Sequence, residues 1–188
     1  VTESTSIVLA RCAGWHGVLV EAVADSFSFM HYTRPEAHRV LMAPNCANFT
    51  TVRIGCVGWT ATSLRDTPKL KAGACARPVF CGPLSALFAA LRVPRLDFLS
   101  LDVEDLEKDV LETADFDAVP VRYLLVEVDN RFRSARQKGP WLQRVFAPRY
   151  NLTYVGKIGP SMLFEREQWR RDVVAVAAAA AGTAASLR

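Results

Sequence analysis

The run LDFLSLDVE, residues 96–104, decides the fold class of this chain. Its first six residues are mostly apolar and predict a buried strand, which Asp102 closes with a carboxylate. Acidic residues continue from Glu104, and acids in a first helical turn are stabilised by the positive end of the helix dipole. We therefore predict a strand over 96–102 followed at once by a helix over 104–113.

The same succession of strands and helices extends in both directions from this run. Short apolar runs predict further strands at residues 17–21, 39–43, 51–58, 78–81, 121–128, 152–157 and 162–166. Helical spacing predicts helices at residues 25–32 and 83–91. The last two strands flank Gly159-Pro160 and are expected to pair antiparallel. The pattern predicts an α/β fold with an open, mostly parallel sheet and an antiparallel C-terminal edge.

Length and composition fit one ordinary globular domain. The chain has 188 residues, of which 51% are hydrophobic and 22% charged, so a disordered chain or a coiled coil is not expected. We expect the domain to span residues 1–168 and to be followed by an alanine-rich helical or disordered tail over 169–188. No apolar run is long enough to span a membrane and no basic-then-apolar leader is present, which predicts a soluble protein with no membrane span.

Charged residues are segregated along the chain. Residues 97–117 contain nine acids and a single base, Lys108, whereas residues 130–149 contain six bases and no acid. The simplest interpretation is a solvated acidic helix and a solvated basic loop, and the alternative is a loop that guides an anionic ligand. Aromatic residues in the basic stretch are too sparse for a base-stacking platform, so nucleic acid is not an expected partner.

Five cysteines form no CxxC pair and have no histidine at ligand spacing, so we expect no metal site. An odd number leaves at least one thiol free. Cys75 and Cys81 are close enough in sequence to close a short loop, and isolated reduced thiols are an equal alternative. The triplets Asn48-Phe49-Thr50 and Asn151-Leu152-Thr153 match the N-glycosylation sequon, but the sequence leaves the cellular compartment open.

Several predicted strands end in acids, and in open α/β sheets ligands bind at the carboxyl ends of strands. Glu21, Asp102 and the pair Glu127 and Asp129 are therefore expected along one rim. Glu21 is placed to accept the two hydroxyls of a ribose, with an exposed strand-end acid as the alternative. Asp102 with Glu104 can bind a cation, orient a donor or act as a base, and simple helix capping is the alternative.

Two motif classes are missing from the sequence. There is no glycine-rich phosphate loop of either common type, which disfavours nucleoside triphosphate chemistry. There is also no GxSxG nucleophile motif, and the three histidines lie near the beginning of the chain, which disfavours a hydrolase.

Two blocks of the chain resemble FkbM-type S-adenosylmethionine-dependent methyltransferases. The first is VFCGPLSAL at residues 79–87, and the second is LDFLSLDVEDLE at residues 96–107 with Val110-Leu111 following. Upstream, GWHGVLVEA at residues 14–22 is similar to the second strand of the family. The resemblance covers about residues 4–166 and implies a Rossmann-like methyltransferase fold.

The resemblance also implies roles for particular residues. Glu21, Asn45 and Asp102 would contact the cofactor S-adenosylmethionine, and Asp102 and Glu104 would lie near the transferred methyl group as base or orienting group. The chain departs from the family at Asp105, where the family has glycine. The family's first strand and glycine-rich cofactor loop would precede Ser4, so the chain is expected to be a fragment that lacks them.

The function expected from these observations is O-methylation of a hydroxyl group on a small molecule or a glycan. The variable segments 48–80 and 130–150 are the expected lining of the acceptor pocket. The alternative is a non-catalytic, methyltransferase-like domain that binds a partner through its basic segment.

Overall fold

A computed structural model of the chain describes residues 6–55, 75–128 and 135–169. Within these ranges the protein is a mixed α/β structure whose sheets are open, with both parallel and antiparallel pairings. The chain divides into two units. The first takes the residues up to Val93 together with Asp102–Asp115, and the second takes Pro94–Leu101 and the residues from Phe116 onward. The alanine-rich tail predicted from residue 169 lies outside the described residues, apart from Trp169 itself.

The first unit begins with helix α1 (Ile7–Ala13) and a parallel strand pair. Strand β1 (Val18–Glu21) pairs with β2 (His38–Leu41), and helix α2 (Ala24–Thr33) connects them, as the sequence predicts. Helix α1 was not predicted. It buries no residue, and its N-cap residue Ser6 makes no side-chain capping hydrogen bond, so neither a buried face nor a formed cap marks this helix.

The same unit contains an antiparallel pair formed by β3 (Asn45–Gly55) and β4 (Ala76–Pro83). The polar stretch between these strands lies outside the described residues. A parallel bridge joins Ala43, two residues after β2, to Cys81 of β4. The buried cluster at this point consists of Val23, Ala43, Ile54, Val79 and Cys81.

Helices α3 (Leu84–Ala90) and α4 (Glu107–Glu112) complete the first unit. In α3 the buried residues are Leu84, Leu87 and Phe88, on the apolar face that the sequence predicts. Helix α4 begins three residues later than predicted. Glu104 and Asp105 have φ angles of 52° and 82°, which a right-handed helix does not allow, so these two acids form a turn before it.

The second unit is built on a four-stranded sheet in the order β5-β6-β8-β7. Strand β5 (Leu96–Leu101) pairs in parallel with β6 (Val121–Glu127). Strand β8 (Ser161–Arg166) lies antiparallel between β6 and β7 (Leu152–Ile158). The predicted antiparallel C-terminal edge is confirmed. The expectation of a mostly parallel sheet is wrong for the described strands, because β3 and β4 also pair antiparallel.

The part of the basic segment that the structure describes is helical, whereas a loop was predicted. Helix α5 (Ala135–Trp141) continues through a π-helical stretch, Leu142–Phe146, into the short helix α6 (Ala147–Arg149). Leu142, Phe146 and Tyr150 are buried, and the ring of Phe116 packs edge-on against Phe146 and Tyr150, with centroids 5.8 and 5.4 Å away. Apolar residues at helical spacing outweigh the helix-breaking tendency of Gly139-Pro140 here.

Candidate functional site

Glu21 closes β1 and is held in place by the chain that follows it. Its Oε1 accepts a hydrogen bond of 2.7 Å from the backbone N–H of Val23. Burial raises the pKa of its carboxyl group, and the backbone N–H groups of Val23 and Ala22 oppose that shift only in part. A half-buried carboxylate with fixed orientation at the carboxyl end of a parallel strand is suited to accept hydroxyl hydrogens from a ligand.

The raised pKa of Glu21 makes a testable contribution to the pH dependence of stability. The folded state binds the Glu21 proton more tightly than the unfolded chain does, so the free energy of unfolding falls as the pH rises above the ordinary value of 4.5 and through the raised pKa. We expect Glu21→Gln to remove the contribution of residue 21 to this decrease in unfolding free energy. The glutamine amide oxygen can still accept the Val23 N–H. Urea denaturation across the acidic to neutral range measures both proteins, and identical pH profiles would contradict the prediction.

Asn45 is the first residue of β3 and follows the chain segment that lies beside the end of β1. The backbone N–H of Met42 donates to the Glu21 carbonyl oxygen at 2.9 Å, which brings the chain after β2 beside the end of β1. The Oδ1 of Asn45 lies 3.4 Å from the Sγ of Cys81. That sulfur belongs to a disulfide with Cys46, so it has no hydrogen to donate and the contact orients the amide without a hydrogen bond.

The disulfide between Cys46 and Cys81 corrects both alternatives that the sequence left open, a pairing of Cys75 with Cys81 and isolated reduced thiols. Cys75 is disulfide-bonded as well, and Cys12 is a free, exposed thiol, as an odd number of cysteines requires. Cys46 and Cys81 are 35 residues apart in sequence, but the pairing of β3 with β4 brings their Cα atoms to 5.6 Å. Sequence proximity suggested Cys75 as a partner for Cys81, but the pairing of β3 with β4 decides which thiols meet.

Asp102 and Glu104 lie in a turn that we define as residues 102–107, the acidic turn. Asp102 is exposed and Glu104 is half-buried. Glu107, which has no exposed surface, accepts the backbone N–H groups of Val103 at 3.0 Å and Asp105 at 3.3 Å. One buried carboxylate therefore braces the turn that presents the two acids.

The conformation of Asp105 suits a glycine better than an aspartate. Its φ of 82° lies in the left-handed region, where a Cβ atom is unfavourable and a β-branched residue is strained further. We expect Asp105→Gly to leave the unfolding free energy within about 1 kcal/mol of the wild type, and Asp105→Val to lower it by about 1–2 kcal/mol. Chemical denaturation compares the two variants, and equal stability of both would show that this backbone angle does not limit the turn.

Thr113 anchors the segment that contains the acidic turn to the rest of the first unit. Its hydroxyl accepts the backbone N–H of Leu84 at 3.0 Å and lies 3.0 Å from the carbonyl oxygen of Pro44, the residue before Asn45. The end of α4 is thus tied both to the start of α3 and to the start of β3.

The four predicted site residues, Glu21, Asn45, Asp102 and Glu104, all belong to the first unit. Glu21 ends β1 and Asn45 begins β3, whereas Asp102 and Glu104 share the acidic turn. Glu127 ends β6 in the second unit, and Asp129 lies outside the described residues. Sequence reasoning assigned no role to Glu107 or Thr113. The spacing of Glu107 from Val103 was the available signal, since a glutamate can reach back to N–H groups within one turn.

Comparison of the chain with protein-family models, with curated proteins and with solved structures finds no match. The class of the protein is therefore described from its fold and its candidate site alone. It is a mixed α/β protein with open sheets, in which a half-buried strand-end glutamate, Glu21, and the braced acidic turn belong to the same unit. No helix in the described parts of the chain is long and apolar enough to cross a membrane.

Proposed function

We propose that this chain is an S-adenosylmethionine-dependent methyltransferase domain of the FkbM type that methylates a hydroxyl on a small molecule or a glycan. The observation that carries the proposal is the half-buried, fixed carboxylate of Glu21 at the carboxyl end of a parallel strand. Ribose hydroxyls are commonly held by an acid in this position of an open α/β sheet.

Two further features, one in the acidic turn and one in the strand pairing, support the same proposal. Asp105 has the φ angle of a glycine, and glycine is the residue of the family at this position, so the backbone path of the turn suits the family pattern. The parallel pairs β1–β2 and β5–β6 and the antiparallel C-terminal edge of β7 and β8 are features of the Rossmann-like methyltransferase fold that the resemblance implies, whereas the antiparallel pair β3–β4 is not.

The residues present fit the proposed cofactor in part. Glu21 has one oxygen bonded to Val23, and a carboxylate keeps further acceptor sites for ribose hydroxyls. Asn45 turns its oxygen toward the Cys46–Cys81 disulfide and offers its amide nitrogen as a donor. Asp102, exposed beyond the end of β5, is the third proposed cofactor contact.

The proposed reaction needs little from the protein beyond alignment. The bound cofactor supplies an electrophilic methyl group on a positively charged sulfur. Glu21, Asn45 and Asp102 would hold that cofactor, and the carboxylate of Asp102 or Glu104 would orient the acceptor hydroxyl and take up its proton. Holding the two reactants in line supplies most of the rate, so a site with few polar residues is sufficient.

Calorimetric titration with S-adenosylhomocysteine tests the proposal. It is carried out on this chain and on a chain extended upstream in the reading frame. We expect binding to at least the extended chain, and a loss of affinity of at least tenfold in Glu21→Ala because a buried polar contact is removed. Glu112→Ala, at an exposed acid of α4 in the same unit, is the control and should bind as the wild type does. Absence of heat from both chains would overturn the proposal.

A second function is favoured by the exposed bases of the α5–α6 segment. Arg136, Arg144 and Arg149 are all exposed there, on a helical stretch in which Leu142, Phe146 and Ala147 are buried. A non-catalytic methyltransferase-like module would use this charge to bind an acidic partner. Absence of cofactor binding together with salt-sensitive binding of an acidic polymer would favour this alternative.

A further inference from the structure

Disulfide bonding in the first unit indicates an oxidising environment. The Cys46–Cys81 bond links β3 to β4 beside a buried cluster, and Cys75 is disulfide-bonded too. Disulfides of this structural kind form and persist in secretory compartments and outside the cell, and they are rare where thiols are kept reduced. The two sequons of the chain can therefore be considered as modification sites.

The sequon at Asn151 lies on the surface of the second unit. Asn151 is exposed in the turn before β7 and has a φ angle of 54°. Its backbone is bonded on both sides, since its N–H donates to the Pro148 carbonyl oxygen at 3.3 Å and its own carbonyl oxygen accepts the N–H of Glu167 at 3.1 Å. The main chain is thus fixed while the side chain is directed to solvent, and Thr153 of the same sequon is also exposed.

The neighbourhood of Asn151 also favours a large polar modification. Strand β7 is the last strand in the order of its sheet, and Tyr154, Val155 and Ile158 on it are exposed. An edge strand with exposed apolar residues invites pairing with other chains unless something covers it. A glycan attached one residue before β7 would hinder such pairing.

The sequon at Asn48 has a comparable position in the first unit. Asn48 and Thr50 are exposed, and they lie where the pairing of β3 with β4 shifts register between Asn45 and Thr50. The intervening Phe49 lies against Gly82 and stacks on Phe80 with a centroid distance of 5.4 Å, so it stays on the hairpin while Asn48 remains accessible. Asn48 is only two residues from Cys46 of the disulfide.

We propose that Asn48 and Asn151 carry N-linked glycans and that this protein folds in a secretory compartment. In each transfer the asparagine Nδ2 attacks the anomeric carbon of an oligosaccharide carried on a lipid diphosphate. The C–N bond forms as the C–O bond to the diphosphate breaks, the lipid diphosphate leaves with the bonding electrons, and the amide nitrogen gives up one proton to the transferring enzyme. The product adds bulk and solubility at two surface positions.

Peptide mapping of the protein from cells that express it naturally is the direct test. Enzymatic removal of N-glycans in heavy-oxygen water converts a glycosylated asparagine into labelled aspartate. We expect the label at both positions and, without reducing agent, a cross-linked peptide pair containing Cys46 and Cys81. An unlabelled peptide at either asparagine, or Cys46 recovered as a free thiol, would overturn the proposal.

Variants of the two sequons, produced through a eukaryotic secretory pathway, show whether each asparagine accepts a glycan. Asn151→Gln and Asn48→Gln should each remove one glycosidase-sensitive step in electrophoretic mobility. Thr153→Ala should remove the same step as Asn151→Gln, whereas the matched variant Thr153→Ser keeps a hydroxyl and should retain it. Retention of the step in Thr153→Ala would refute modification at Asn151.

Discussion

Replacing Glu107 by alanine is expected to lower the free energy of unfolding of the first unit by about 3 kcal/mol. The side chain is fully buried and accepts the N–H groups of Val103 and Asp105, and its removal leaves both without that acceptor. Two consecutive residues of the acidic turn, Glu104 and Asp105, hold left-handed φ angles that these bonds help to maintain. Urea denaturation monitored by circular dichroism measures the loss.

Two controls isolate the bracing role of Glu107. Glu107→Gln keeps one side-chain oxygen as an acceptor and should cost less than the alanine variant. Glu112→Ala removes an exposed acid on the same helix, whose ion pair with Lys108 spans 3.5 Å, and should change stability by less than about 0.5 kcal/mol. The bracing role is wrong if Glu107→Ala is as stable as Glu112→Ala.

A second large effect is expected when the Cys46–Cys81 disulfide is removed. The double variant Cys46→Ala, Cys81→Ala should lose about 3–4 kcal/mol of unfolding free energy, because a bond that closes a loop of this length restricts the unfolded chain. The two residues are 35 positions apart in sequence. Denaturation of the oxidised wild type and the double variant, compared without reducing agent, measures the difference.

Cys12→Ala is the matched control for the disulfide, because Cys12 is free and exposed on α1. It should leave the unfolding free energy within about 0.5 kcal/mol of the wild type. The double variant is more informative than a reducing agent, since reduction would also break the bond of Cys75. Equal unfolding free energies of the double variant and the wild type would show that the disulfide does not stabilise the folded protein.

Much of the secondary structure could be predicted from the sequence, because it depends on short-range patterns. The apolar runs that became β5 and β6 were recognised, as was the pairing of β7 with β8 around Gly159-Pro160. The start of α4 was misplaced because first-turn acids are equally compatible with the turn that Glu104 and Asp105 form. The helical character of residues 135–149 was missed because Gly139-Pro140 masks an apolar face that becomes evident only when Phe116 packs against it.

Within the candidate site, the sequence identified the exposed and strand-ending acids but not the groups that hold them. Glu21 and Asp102 follow recognisable strands, so their positions could be inferred. Glu107 and Thr113 act by hydrogen bonding to backbone groups; the Thr113 hydroxyl, for example, accepts the N–H of Leu84, which lies in another segment. No local sequence pattern predicts hydrogen-bond partners that are distant along the chain.

The sequence by itself determined approximately where the strands and helices α2, α3 and α4 lie and which strands end in acids, because hydrophobic periodicity and chain breakers act over a few residues. Only the tertiary structure decided that Cys81 bonds to Cys46, and that Glu107 is buried beneath the acidic turn. Those outcomes depend on strand pairing and burial, which bring together groups whose separation along the chain carries no information about their separation in space.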